Sequence, residues 1–151
     1  VSRTLDFKEV IRPPWWLICF IYFMLLSLVV AIWAAFDNNA AINAFAISLA
    51  LQAALVHWMT STIEVADGEL RIKRAHIPLH YLGEIQLVPK SEFGFERTRG
   101  ADPAAFFAIT FWISQGIKVA VKDDRDPTPY WLISTKRATE LAAALNNSKK
   151  V

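Results

Sequence analysis

Polar residues are distributed along this chain in two sharply different ways. Between positions 13 and 63 the only formal charge is Asp37, and it separates two apolar runs, 15–36 and 40–60. The first run contains nothing ionisable except Cys19 and Tyr22, and the second is interrupted only by Asn43, Ser48, Gln52, His57 and the terminal Thr60. At ~1.5 Å rise per residue each run is long enough to cross a hydrocarbon core ~30 Å thick. Two membrane-spanning helices joined by the turn Asp37, Asn38, Asn39 are therefore expected. Pro13 and Pro14 suit the start of the first, because proline lacks the amide hydrogen that a helix N-terminus leaves unpaired.

After Ser61 the apolar period becomes two. Ile63, Val65, Leu70 and Ile72 fall on one face around Asp67-Gly68, the strongest short-range hairpin signal, with Arg71 and Lys73 on the other face. Further strands are expected at 84–88, 116–122 and 129–134, the last two joined by an acidic, proline-containing turn. Ala138, Leu141, Ala142 and Leu145 then follow the i, i+3, i+4, i+7 stripe of an amphipathic helix, with Ser134 or Thr135 as its cap. These elements divide the 151 residues into an N-terminal segment (1–14), a two-helix hairpin (15–60) and a C-terminal domain (61–151).

Charge fixes the expected orientation. Arg3, Lys8 and Arg12 precede the first span, Arg71, Lys73 and Arg74 follow the second, and the intervening turn has no Lys or Arg. Both termini are expected in the cytoplasm and the turn outside, in an inner, or plasma, membrane. Trp15, Trp16, Trp58 and Trp33 suit the two interfaces. The run at 15–36 is too long for the apolar core of a secretory signal, and a second span follows it. A net charge of +2 does not suggest nucleic-acid binding, and one cysteine, Cys19, cannot form an internal disulfide.

A short turn makes the two helices antiparallel neighbours, and in lipid small residues allow close approach. Ser27, Ala31 and Ala35 on the first helix, and Ala46, Ala50 and Ala54 on the second, form such rows; Ala40, Ala44, Ser48 and Gln52 form a parallel one. Gln52 should face a partner helix, where its amide bonds are worth about 0.6–2 kcal/mol. No intramembrane carboxylate or lysine accompanies it to suggest a substrate path.

Strands followed by one amphipathic helix give the element order of a pleckstrin-homology-like (PH-like) α+β domain, an antiparallel barrel or sheet closed by a C-terminal helix. The stretch 63–85 resembles bacterial PH-like domains that follow paired transmembrane helices. A wider resemblance rests on Pro13-Pro14-Trp15-Trp16, Val65-Ala66-Asp67-Gly68-Glu69-Leu70, Ile77-Pro78-Leu79 and Asp126-Pro127-Thr128-Pro129-Tyr130-Trp131-Leu132-Ile133-Ser134. These strings are similar to an actinobacterial membrane family catalogued as domain of unknown function 3093. The chain departs from that pattern at Ala138, where proline is usual. The resemblance implies an inner-membrane setting and brings no established activity.

Four groups of residues invite a functional reading. Arg71, Lys73 and Arg74, joined by Arg97 and Arg99, could meet anionic headgroups at about 1 kcal/mol each, or serve only to set topology. The apolar stretch 104–113 is too short to span and reads as core, as a segment dipping into the inner leaflet, or as a contact patch. In the last case Phe106, Phe107, Phe111 and Trp112, with Tyr130 and Trp131, would meet a protein partner or a second copy. His76 and His80 have zinc-like spacing, but Pro78 lies between them. Asp123, Asp124 and Asp126 are balanced by Lys122 and Arg125. No nucleophile motif, phosphate loop or cofactor fingerprint is present. The expectation is a non-enzymatic membrane-anchored interaction module without cofactor, with anionic-lipid binding as the alternative and an enzyme acting on a lipid-linked substrate as a remote third.

Overall fold

A computed structural model describes residues 5–150; Arg3 of the basic N-terminal set lies outside them. The chain folds as two compact units, Arg12–Ser61, and Val1–Ile11 together with Thr62–Val151. The helical hairpin is thus an insertion into the other unit. Its two helices are long and apolar enough to cross a membrane.

Within the hairpin, α1 (Trp15–Ala35) and α2 (Asn38–Met59) are separated by only Phe36 and Asp37. The turn is shorter than the sequence suggests because Asp37 is the helix cap: its Oδ1 accepts from the Ala40 amide at 2.8 Å. Trp33 Nε1 donates to Asn38 Oδ1 across the same turn. Two of the three expected packing rows are overturned, and the row Ala40, Ala44, Ser48, Gln52 is kept. Ser27, Ala31, Ala35, Ala46, Ala50 and Ala54 are all exposed. The inward rows are Ile18, Ile21, Leu25, Val29 and Ile32 on α1, and Ala40, Ala44, Ser48 and Gln52 on α2. Branched side chains on one helix thus meet the small row of the other, a fit that two small rows cannot make without voids. Gln52 faces inward as expected, and its Nε2 donates to the Ile18 carbonyl at 3.1 Å.

The other unit begins before the hairpin. Part of the expected N-terminal segment forms a strand, β1 (Leu5–Ile11), with Phe7, Glu9 and Ile11 buried. It lies beside β2 (Ser61–Ala66), and β3 (Glu69–Ile72) and β4 (Ala75–Pro78) complete a four-stranded sheet in the order β1-β2-β3-β4. Ile63, Val65, Leu70 and Ile72 are buried as the alternation requires. Asp67 and Gly68 both take positive φ, 52° and 75°, as their hairpin demands. Lys73 also turns left-handed at φ 53°, ending β3 two residues earlier than the charge alternation implies and opening a second hairpin into β4.

A 3-10 turn (Leu79–Tyr81) leads to the second sheet. Here β5 (Leu82–Val88), β7 (Gly116–Val121) and β8 (Tyr130–Ser134) pair antiparallel, and the short β6 (Phe106–Ala108) adds parallel to β8, giving the order β5-β7-β8-β6. Between β5 and β6 a short helix, α3 (Lys90–Glu96), buries Phe93 with Val88, Tyr130 and Leu132 in a second small core. The main core lies between the sheets and is closed by α4 (Ala138–Ser148), whose Leu141 and Leu145 are fully buried. Neither expected residue caps α4. Ser134 belongs to β8, and Thr135 Oγ1 accepts from the Arg137 amide at 3.0 Å, one residue before the helix begins.

Candidate functional site

The insertion defines a distinct end of the domain, where the chain leaves after Ile11 and returns at Ser61. Three features mark it.

The first is a buried carboxylate on β1. Thr135 Oγ1 donates to Glu9 Oε2, and the Lys136 amide donates to Oε1 at 3.2 Å. Arg137 adds a bond to the Lys8 carbonyl at 3.1 Å and lies 4.8 Å from the centre of the Phe7 ring. Lys8 Nζ pairs with Glu64 at 2.8 Å. β1, which continues into α1, is therefore fastened to both β2 and the start of α4. Arg137 also binds Glu140 through Nε at 2.9 Å, which lowers the Glu140 carboxyl below its ordinary range.

The second feature is basic. The Lys73 amide donates to the Thr62 carbonyl, so the β3–β4 turn lies beside the first residues of β2. Lys73 and Arg74 are both exposed there. Thr62 is three residues beyond the end of α2. The acidic β2–β3 turn with Asp67 lies at the opposite end of the same sheet. The remaining basic candidates separate from this turn. Arg71 points off the middle of β3 and pairs with Glu69 at 2.8 Å, while Arg97 and Arg99 follow α3.

The third feature is the aromatic segment. Of the six residues expected to form a contact patch, Tyr130 and Trp131 are buried and Phe106, Phe107 and Trp112 are half-buried against the cores, so the patch is largely drawn inward. Trp131 is buried in the main core, and Phe106 and Trp112 pack against that core. Tyr130 is buried in the second core, with Phe107 packed against it. Phe106 lies 4.4 Å from Trp131, ring centre to ring centre. Only Phe111 stands out, 60 % exposed. Alternation could have flagged this outcome, because β8 is buried on both faces and so needs aromatic cover on each.

The remaining polar candidates do not converge. His76 is exposed opposite Arg71 on β4, whereas His80 lies in the 3-10 turn with its ring 4.0 Å from that of Tyr81. The acidic turn closes on itself and on Tyr81. Asp123 accepts from Arg125, whose Nη2 donates to Tyr81 Oη at 2.7 Å. Asp126 is hydrogen-bonded by the Thr128 side chain and accepts from the Thr128 amide, which together lower its carboxyl. Among the described residues no three His, Cys, Asp or Glu side chains gather as metal ligands.

These features define a small two-sheet domain, closed by a C-terminal helix, that carries an apolar helical hairpin in its first strand connection. The chain belongs to the family described as "Protein of unknown function (DUF3093)", which it matches over residues 6–145, hairpin and domain together. No curated protein and no solved structure matches it.

Proposed function

We propose that this protein is a non-enzymatic module of the inner membrane, anchored by two spans, whose PH-like domain is held against anionic lipid of the cytoplasmic leaflet. The spanning reading is supported by the hairpin surface. Phe23, Leu28, Trp33, Ile42, Ile47 and Trp58 are exposed on all sides of it, a composition that water would penalise and hydrocarbon favours. The PH-like reading is supported by two sheets followed by a closing helix, the second sheet antiparallel apart from the short β6.

The observation that carries the lipid contact is the position of Lys73 and Arg74 beside Thr62. Chain connectivity keeps that turn within a few residues of the point where the second span ends. The same geometry weakens the protein-scaffold reading, since its aromatic patch is spent on the two cores. Two basic residues near an anionic surface contribute about 1 kcal/mol each, together roughly a thirtyfold preference. The full chain purified in mild detergent should therefore retain anionic over zwitterionic phospholipid, and K73Q/R74Q should lose most of that preference. An unchanged lipid ratio by mass spectrometry would remove the lipid role.

A further inference from the structure

We propose that the loop 109–112, between β6 and β7, is a third and shallower contact with the bilayer, its Phe111 ring seated at headgroup level in the cytoplasmic leaflet. The proposal rests on the two-span reading above and adds a surface that the spans do not include.

The order of the second sheet places the loop. At one edge, β5 is tied to the end of α4, where Lys149 Nζ donates to the Gly83 carbonyl at 2.7 Å. Its neighbour Ser148 donates to Asp6 Oδ2, near the start of β1. On the far side of β7, the residue that follows β8 is Thr135, which binds Glu9, two residues before β1 ends. Gly83 lies near the Val121 end of the sheet and Thr135 just beyond the Gly116–Ser134 pair at its other end, so moving along the strands towards Ser134 follows β1 from Asp6 towards Glu9. β6 runs parallel to β8, so it ends on this same side, the side towards which β1 runs before the chain leaves the domain after Ile11. The loop leaves β6 and is pinned at the same end, because the Thr110 amide donates to Ser134 Oγ at 3.1 Å and the Thr135 amide to the Gln115 carbonyl.

What the loop presents there is apolar. Ile109 and Phe111 are exposed, and Phe111 stands edge-on to Trp112 with ring centres 4.9 Å apart. Trp112 Nε1 and Thr110 Oγ1 are buried and find no hydrogen-bond partner among the described residues. The exposed Phe111 ring and Ile109 side chain form an apolar tip that gains free energy by leaving water, while Trp112, its Nε1 buried, backs Phe111 from within. Lys73 and Arg74, at the end of the first sheet where the hairpin joins, supply charge complementary to anionic headgroups. A phospholipid surface is therefore the occupant to which this edge is suited, by continuity with the spans and by charge.

The test uses the full chain in vesicles of phosphatidylcholine and phosphatidylglycerol. Cys19, the only native cysteine, is replaced by serine, and an environment-sensitive fluorophore is attached at Ile109→Cys with Phe111 retained. A label at Asp124→Cys, in the acidic turn, is the aqueous reference, and a label at native Cys19 in the wild-type chain reports the span. The Ile109 label should be blue-shifted and quenched by headgroup-linked nitroxide lipids several-fold more than the Asp124 label. Adding Phe111→Ser, at an exposed position outside both cores, should reverse most of that difference. A label at Ile109 as wet and unquenched as the reference overturns the loop contact, and leaves the spans standing if Cys19 remains quenched. A dry label quenched by no lipid overturns it in favour of a protein contact. An unquenched Cys19 label removes the two-span reading and the loop contact together.

Discussion

A chain in which residues 12–60 are replaced by a short glycine-serine turn is expected to fold and stay monodisperse in plain buffer, whereas a chain beginning at Ser61 is expected not to fold. The two differ only in β1 and the turn. Without β1 the core loses Phe7 and Ile11, each worth about 1.5–3 kcal/mol of burial. The Thr135 hydroxyl and the Lys136 amide also lose Glu9, and a buried polar group left unpaired costs about 1–3 kcal/mol. Small domains hold only about 5–15 kcal/mol in total, so the combined loss is comparable to the whole. Circular dichroism and amide-proton dispersion would separate the outcomes. Equal melting temperatures for the two chains would mean that β1 is an appendage.

Gly116→Ala is expected to be the most damaging single methyl in the domain. Gly116 opens β7 opposite Ser134, and a Cβ built on it would lie 1.8 Å from the Ile133 carbonyl oxygen and 2.8 Å from its carbon. Neither atom belongs to a flexible side chain, so the strands themselves must part. That movement disturbs Ile133 and Leu132, fully buried in the main and second cores respectively. A cost of about 3 kcal/mol or more follows, lowering the melting temperature by roughly 12 °C or more in a domain of this size. Gly94→Ala is the control: nothing lies within 4 Å of its added Cβ, and on α3 alanine is favoured over glycine by up to about 1 kcal/mol. If the two variants melt alike, the close approach of β7 to β8 is wrong.

The hairpin and the buried faces of β2 and β3 were legible in the sequence because each rests on one local rule: run length for the helices, period two around Asp67-Gly68 for the strands. The C-terminal helix was equally legible from Leu141 and Leu145. Elements that depend on distant partners were not. In β1 the inward positions are Phe7, Glu9 and Ile11, and the carboxylate in the middle breaks the apolar alternation; Thr135 and Lys136, more than a hundred residues away, make its burial tolerable. The Lys73-Arg74 turn carries no glycine, proline or asparagine to announce it. The stretch 104–113 resists assignment because it combines a three-residue strand, three aromatics packed against the two cores and one exposed ring. The inward row of α1 was missed for a different reason. Small residues on both helices suggest that they face each other, whereas small residues on α2 receive branched ones from α1.

The account stands on residues 12–61 crossing a bilayer as a hairpin while the domain stays on one side. Single cysteines at Asn39 and Asp124, each in a Cys19→Ser chain, test this in intact cells with a membrane-impermeant maleimide. Labelling of Asn39→Cys from outside, with Asp124→Cys reacting only after the membrane is broken, is the predicted result. Both positions reacting from the same side would contradict it.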